Sequence, residues 1–200
     1  AMIDRLIRIF VANHAESVSV IVNEEMKEVQ EHLKALSLPV PLHLVIKSTP
    51  SSMHSFFELS PSLEGGKFCL TTVDTIFKED EFASYIKAFE QDDVHDGLMA
   101  VTDYIDDEKP LYVATDPSLS VTGFMDSAYP GARYISGGIY CLNQAGIHTL
   151  HGCMNDGVSR MRNYQRRLVE EGVQLKAYPF SKIIDVDHAE DIQKAENFIY

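Results

Sequence analysis

The spacing of apolar residues alternates between two periods over the first 95 residues. Helical spacing, with apolar residues three or four apart, occurs at 2–15, 24–36 and 78–91, and in a shorter segment within 48–63. Runs rich in β-branched and apolar residues lie between them and predict buried strands at 17–23, 42–47 and 67–74. This succession of helix and strand is typical of parallel α/β crossovers.

The pattern changes after residue 95. Short strand-like runs follow one another at 96–105, 110–115, 119–125, 132–136 and 137–142, with few helical residues between them. Two helices at 143–154 and 157–172, strands at 173–180 and 182–186 and a helix at 189–200 complete the chain. We therefore expect an antiparallel or mixed patch beside a parallel sheet, all within one domain of residues 1–200.

Composition narrows the classes of partner. The net charge of −13 argues against nucleic acid or an anionic membrane as partner, and no apolar stretch approaches the ~20 residues needed to cross a bilayer. Three cysteines without CxxC spacing favour a reduced, cytoplasmic protein. A polyphosphate ligand would need a divalent cation or a basic cluster to offset the repulsion.

The predicted strand at 67–74 ends on a carboxylate, Asp74. Ligands gather outside the carboxyl ends of strands in open α/β sheets, and a carboxylate there can bind Mg²⁺. The alternative is structural, because Asp74 could cap the helix that begins near residues 77–78.

A second acidic segment lies near the end of the chain. Asp185 and Asp187 alternate across Val186, and we expect one of them to face the core and the other the cleft. The structural alternative is a capping box with Asp187 as N-cap and Glu190 at the third helical position.

The order of several segments and their amino-acid sequences resemble those of the sugar-1-phosphate nucleotidyltransferase family. The matching segments are MIDRLIRIF, FCLTTVDTIF, YISGGIYCL and IIDVDHAEDIQKAENF. The resemblance implies an α/β, Rossmann-like three-layer sandwich with a mainly parallel mixed sheet. It also implies transfer of a nucleoside monophosphate from a nucleoside triphosphate to a sugar-1-phosphate or similar phospho-alcohol, with release of pyrophosphate.

The resemblance assigns roles to individual residues. Asp74 matches the family's metal-binding aspartate, although Val73 precedes it where glycine is usual. Asp187 best matches the second Mg²⁺ ligand, and Asp185 is the alternative for that position. The expected substrate-binding residues are Ser51 and Ser52 near the nucleotide base, and Gly137, Gly138 and Tyr140 around the sugar. A homo-oligomer is possible.

The family's opening strand and glycine-rich, arginine-bearing loop have no counterpart in this sequence. We therefore expect the domain to be incomplete at its N-terminus relative to the family. The missing neighbour predicts a gap, a rearranged pairing or strand borrowing from another copy between 17–23 and 67–74.

Two other functions remain open. One is a non-catalytic nucleotide- or sugar-binding regulatory module of the same fold. The other is a nucleotide-sugar-dependent glycosyltransferase, although the expected DxD pair is absent because Thr75 and Ile76 follow Asp74.

Overall fold

The computed structural model describes residues 1–199. The α-helices are α1 (Met2–Ala12), α2 (Lys27–Ala35), α3 (Ser52–Leu59), α4 (Glu79–Glu90), α5 (Gln144–Asn155), α6 (Met161–Glu170) and α7 (Ala189–Ile199), and a 3-10 turn spans Ser60–Ser62. The strands are β1 (Val18–Val22), β2 (Leu42–Ile46), β3 (Phe68–Thr71), β4 (Thr75–Ile76), β5 (Gly97–Thr102), β6 (Tyr112–Thr115), β7 (Val121–Met125), β8 (Tyr134–Leu142), β9 (Leu175–Phe180) and β10 (Ile184–Asp185). No helix within these residues has the length and apolar character needed to span a membrane.

The largest sheet has six strands, and β8 is at its centre. One edge of β8 pairs with β5, which in turn pairs with β9. The opposite edge is shared, since residues 134–135 pair with β6 and residues 139–142 pair with β3. β3 and β6 therefore separate along one edge of β8, and residues 136–138 lie at this separation.

The predicted mixed α/β sheet is confirmed, with one correction to its strand pairing. β3, β5, β6 and β9 run in one direction, whereas β7 and β8 run in the other. Because β8 is central, only the β5–β9 pair of this sheet is parallel. Most strands of this sheet thus run in one direction, as a mainly parallel sheet would have them. The expectation is wrong for the pairing, because most neighbouring strands are antiparallel.

The six-stranded sheet is the middle layer of three. Every residue of β5 is buried, and its side chains alternate between two apolar clusters. Met99 and Val101 pack on the side of α3, α5 and α6, whereas Leu98 and Ala100 pack on the side of α1 and α4. Because β5 is buried on both faces, its sequence is a continuous apolar run and does not alternate with polar residues.

Helix α4 forms where its sequence favours both its start and its buried face. Its first turn holds three acidic residues, 79–81, whose charges are favourable at a helix N-terminus. Phe82, Tyr85 and Phe89 recur at helical spacing and are at most 3% exposed. The Tyr85 hydroxyl donates to the Leu98 carbonyl and accepts from the Cys141 N–H at 3.0 Å, which ties α4 to β5 and β8.

The two strands expected at 132–136 and 137–142 form one strand, β8. Gly137 and Gly138, at the start of the second expected strand, mark an irregularity within this one strand. Opposite them, the register shifts between Met99 and Val101 of β5, which pair with Tyr140 and Ser136. β8 therefore accommodates extra residues as a bulge at this point.

β1 and β2 form a separate parallel sheet. No pairing joins β1 to β3 or to another strand of the six-stranded sheet within residues 1–199. The predicted interruption between 17–23 and 67–74 is confirmed, and it takes the form of a gap.

Candidate active site

Two short strands bring the distant acidic segments together. β4 pairs antiparallel with β10, and Asp185 lies opposite Thr75. The Val186 N–H donates to the Asp74 carbonyl oxygen at 3.1 Å. The backbone therefore fixes Asp74 beside the 185–187 segment, although more than one hundred residues separate them in the chain.

Hydroxyl groups orient the carboxylate at the centre of this segment. Thr75 is 1% exposed, and its Oγ1 donates to Asp185 Oδ1 at 3.2 Å. The Thr72 Oγ1 lies 2.9 Å from the Thr75 Oγ1. Because Thr75 is held by the core, it restricts the directions that the Asp185 carboxylate can take.

Asp185 lies in a region of concentrated negative charge. Burial by surrounding protein atoms and the Asp74 carboxylate are the largest causes that raise the pKa of Asp185 to about 6. Asp187 and Asp107 raise it further, whereas the Thr75 hydrogen bond opposes them. These carboxylates repel one another in the absence of a cation.

An acidic cavity of about 460 Å³ adjoins the β4–β10 pair. Its wall contains Asp185 and Asp187, and also Asp106, Asp107, Glu108, Glu190 and Asp191. The expectation that Asp185 and Asp187 face opposite sides is wrong, because residues two apart in an extended chain point to the same side. Asp74 is not among the residues that line this cavity, and it approaches the group from the β4 side.

Three lysines lie in or beside the acidic cavity, and their surroundings differ. The Lys194 Nζ pairs with Asp106 at 2.9 Å and with Asp191 at 3.2 Å. The Lys182 Nζ lies 4.3 Å from the ring centroid of Tyr104, which is itself a cavity residue. Lys109 lines the cavity, and neither it nor Lys182 has an ion pair among those found in residues 1–199.

The two glycines of the β8 bulge serve different purposes. Gly137 lines the cavity, and a Cβ there would come within 2.2 Å of the Ile183 Cδ1 and 3.2 Å of the Ala100 carbonyl oxygen. Gly138 has φ +73°, a conformation that side chains with a Cβ rarely adopt. Together they let the segment that carries Asp185 pack closely against the sheet, and their predicted contact with a sugar stays a prediction.

The other predicted substrate residues lie outside the cavity wall. Burial raises the pKa of Tyr140 to about 12, and its hydroxyl accepts from the Gln165 Nε2 at 3.5 Å on the α6 side of the sheet. Ser51 is the N-cap of α3, and its Oγ lies 2.8 Å from His54 Nδ1. Ser52 is the first residue of α3. The predicted roles of these three residues in binding substrate stay predictions.

Neither aspartate takes the alternative capping role. The N-cap of α4 is Lys78, and β4 separates it from Asp74, so the capping interpretation of Asp74 is wrong. α7 begins at Ala189, and its reciprocal hydrogen bond runs from the His188 N–H to Asp191 Oδ2 at 3.0 Å. The predicted capping box is therefore displaced by one residue, which leaves Asp187 out of it.

Among the comparisons with known proteins, only the comparison with solved structures finds matches. No protein-family model and no curated protein sequence matches this chain. Solved structures match it over nearly its whole length. One is the inositol-1-phosphate CTP transferase from T. maritima, with a TM-score of 0.78, 17% identity, and coverage of 100% of this chain and 84% of that chain.

Two further solved structures also match this chain over nearly its whole length. A Bacillus anthracis protein assigned as a glucose-1-phosphate thymidylyltransferase has a TM-score of 0.83 at 14% identity, covering 98% of this chain and 81% of that chain. A UDP-glucose pyrophosphorylase has a TM-score of 0.80 at 11% identity, and the match covers 98% of this chain and 85% of that chain. The fold expected from the sequence motifs is thus supported independently by backbone geometry. The chain has the fold of the sugar-1-phosphate nucleotidyltransferases.

Proposed function

We propose that this protein transfers a nucleoside monophosphate from a nucleoside triphosphate to a sugar-1-phosphate or similar phospho-alcohol, with release of pyrophosphate. The observation that carries the proposal is the placement of Asp74 beside Asp185 and Asp187 by the β4–β10 pair. This placement occurs next to an acidic cavity in a fold shared with enzymes of this class.

The carboxylates suit Mg²⁺, and Asp74 and Asp187 are the proposed ligands, with Asp185 as the alternative to Asp187. Within residues 1–199 no three His, Cys, Asp or Glu side chains form a ready metal cage. Mg²⁺ is commonly bound by one or two carboxylates, waters and substrate phosphates, so a complete protein cage is not required. Burial is the largest cause of the raised pKa of Asp185 and the Asp74 charge is the next, and a bound cation would offset that charge.

The proposed reaction is an in-line substitution at the α-phosphorus. A phosphate oxygen of the sugar phosphate forms the new P–O bond, and the bond to the pyrophosphate oxygen breaks. Bound Mg²⁺ supplies neutralisation of the phosphate charges. The phosphate oxygen is already ionised near neutral pH, so the protein needs no general base.

The chain's own residues would then position the reactants and supply positive charge. Lys109 and Lys182 lie in or beside the cavity and can approach phosphate oxygens. Asp185 is held by Thr75 and keeps the acidic segment in register with β4. Gly137 allows the close approach of this segment to β8.

A non-catalytic nucleotide- or sugar-binding module is the second candidate. The balance of charge favours its sugar-binding form, because seven carboxylates and only two lysines line the cavity and an uncharged sugar is not repelled by them. Triphosphate binding without a cation would be opposed by this surplus.

Pyrophosphate release distinguishes the two candidates. The assay combines the protein with Mg²⁺, each of the four common ribonucleoside triphosphates and dTTP, and a panel of sugar-1-phosphates and inositol-1-phosphate. We expect release with at least one pair, and a loss of at least 100-fold in Asp74→Asn and Asp187→Asn. Asp93→Asn, which alters an exposed aspartate outside the cavity, is the matched control and should retain full activity.

Binding measurements interpret a negative result. If no pair yields pyrophosphate but calorimetry detects Mg²⁺-dependent nucleotide binding that Asp74→Asn abolishes, the module is favoured over the enzyme. If neither turnover nor binding is detected, both candidates are refuted.

A further inference from the structure

The acidic cavity has more carboxylates than its own lysines can neutralise. Lys194 pairs with both Asp106 and Asp191, so its charge is already used within the wall. Lys109 is the other lysine of the wall, and the proposed reaction directs it to a phosphate. A Mg²⁺ ion beside β4 would likewise be shared with phosphates. The rest of the wall therefore calls for another source of positive charge.

Three carboxylates of the wall have no cationic partner. Asp107 and Glu108 lie in the loop between β5 and β6, and Glu190 lies in the first turn of α7. No lysine, arginine or histidine pairs with any of the three within residues 1–199. All three are exposed, so water screens their charges until a ligand displaces it. A ligand in the cavity would feel these charges more strongly, because less water would then lie between them.

The hydroxyl groups of the wall add hydrogen-bond acceptors to the carboxylates. The Tyr104 hydroxyl donates to Asp106 Oδ2 at 3.3 Å. The Ser136 Oγ donates to Oε1 of Gln165, which is 2% exposed, at 3.5 Å and accepts from the Gly138 N–H at 3.5 Å. A hydroxyl has one proton and two lone pairs, so each of these groups has used its proton and keeps a lone pair for a ligand. The wall thus favours a ligand group that donates several hydrogen bonds.

The arrangement of the three carboxylates suits an ammonium group better than a second metal ion. They belong to two different elements, the β5–β6 loop and α7. Within residues 1–199 no three His, Cys, Asp or Glu side chains are grouped so as to hold a metal ion. Mg²⁺ needs its oxygen ligands at about 2.1 Å around one point. A primary ammonium has three N–H donors on one positive charge and reaches separate acceptors at about 2.8 Å.

We propose that the acceptor is a phosphate monoester that carries a protonated primary amine, either an amino-sugar phosphate or an amino-alcohol phosphate. This inference rests on the proposed function, because the same cavity receives the acceptor. The amine binds among Asp107, Glu108 and Glu190, and the phosphate faces the carboxylates beside β4. An acceptor that carries a carboxylate in place of the amine is repelled by the same wall, so the charge of the wall selects between substrates.

Matched pairs of probes that differ in one group test the proposal. Glucosamine-1-phosphate is compared with glucose-1-phosphate, and phosphoethanolamine with 2-hydroxyethyl phosphate, so each pair exchanges an ammonium for a hydroxyl. Isothermal titration calorimetry of the full chain at pH 7 with Mg²⁺ measures the affinity of each probe. We expect the amine of at least one pair to bind at least tenfold more tightly than its partner. The pair that shows this preference distinguishes an amino sugar from an amino alcohol.

Neutral variants test the assignment from the protein side. The double variant Glu108→Gln with Glu190→Gln keeps the length of both side chains and removes their charges. We expect the ratio of amine to hydroxyl affinity to fall at least fivefold in this variant. Asp93→Asn, which alters an exposed aspartate outside the cavity, should keep the wild-type ratio. Raising the salt concentration should also lower the ratio in the wild type, because exposed charges are screened.

The outcomes separate this inference from the proposed reaction. A preference for the amine without pyrophosphate release supports amine recognition and refutes only the reaction. Pyrophosphate release without a preference for the amine supports the reaction and overturns the inference. Failure of all four probes to bind, or an unchanged ratio in the double variant, also overturns it. Two bound Mg²⁺ per chain with no preference for the amine would assign the surplus charge to a second metal ion and overturn it as well.

Discussion

Replacing Asp185 by asparagine tests the electrostatic description of the candidate site. The substitution keeps the shape of the side chain and an oxygen that can accept the Thr75 hydrogen bond. It removes the charge that burial and Asp74 disfavour in the folded protein. We therefore expect the variant to be more stable than the wild type at neutral pH when no metal is present.

The size of the effect follows from the pKa. The difference between the ordinary value of 3.8 and about 6 in the folded protein corresponds to about 3 kcal/mol. Protein atoms crowd the Asp185 carboxylate, but the residue still keeps enough accessible surface to count as exposed. Solvent therefore screens the interaction, which reduces the expected gain to about 1 kcal/mol. For a chain of this length, that gain raises Tm by about 3 °C.

The sign of the pH dependence is specific. Because the folded-state pKa is raised, ionisation of Asp185 destabilises the wild type progressively as pH rises from about 4 to above 6. The Tm difference between variant and wild type should grow over this range and then level off. Thermal melts in EDTA from pH 4 to 8 measure it, with Asp93→Asn as the control. A difference that is absent at pH 7.5, or that shrinks as pH rises, would refute the reasoning.

Two further substitutions test the packing around the site. Tyr85→Phe leaves the buried Cys141 N–H without its partner, so chemical denaturation should show a loss of about 1–3 kcal/mol, whereas Tyr178→Phe should change stability little. Gly137→Ala forces a Cβ to within 2.2 Å of Ile183 Cδ1, so Tm should fall by several degrees and the catalytic rate with it. An unchanged Tm would show that the 183–187 segment is not held by this contact.

The sequence predicted most of the strands and helices because their apolar spacing is regular. The exceptions are informative. β4 was not predicted, since a strand of two residues has no periodicity, and its existence depends on pairing with β10. The predicted break between residues 136 and 137 is also absent, because pairing of β8 on both edges continues the strand across it.

The candidate site was predicted in part. The sequence placed Asp74 after a buried strand and linked it to 185–187 through the family resemblance, and the structure brings these segments together. Thr75 and Lys182 were missed as site residues because their proximity to the acidic group arises only from tertiary contacts. Ser51 and Tyr140 carry no local signal that separates substrate binding from packing.

The most direct test of the shared-cation claim is a titration with Mn²⁺, a paramagnetic substitute for Mg²⁺, followed by electron paramagnetic resonance in the presence of a nucleoside triphosphate. We predict one bound ion per chain beyond that held by free nucleotide. Its affinity should fall at least tenfold in both Asp74→Asn and Asp187→Asn, and should be unchanged in Asp93→Asn. Wild-type affinity in either of the first two variants would contradict the claim that these two carboxylates hold one cation.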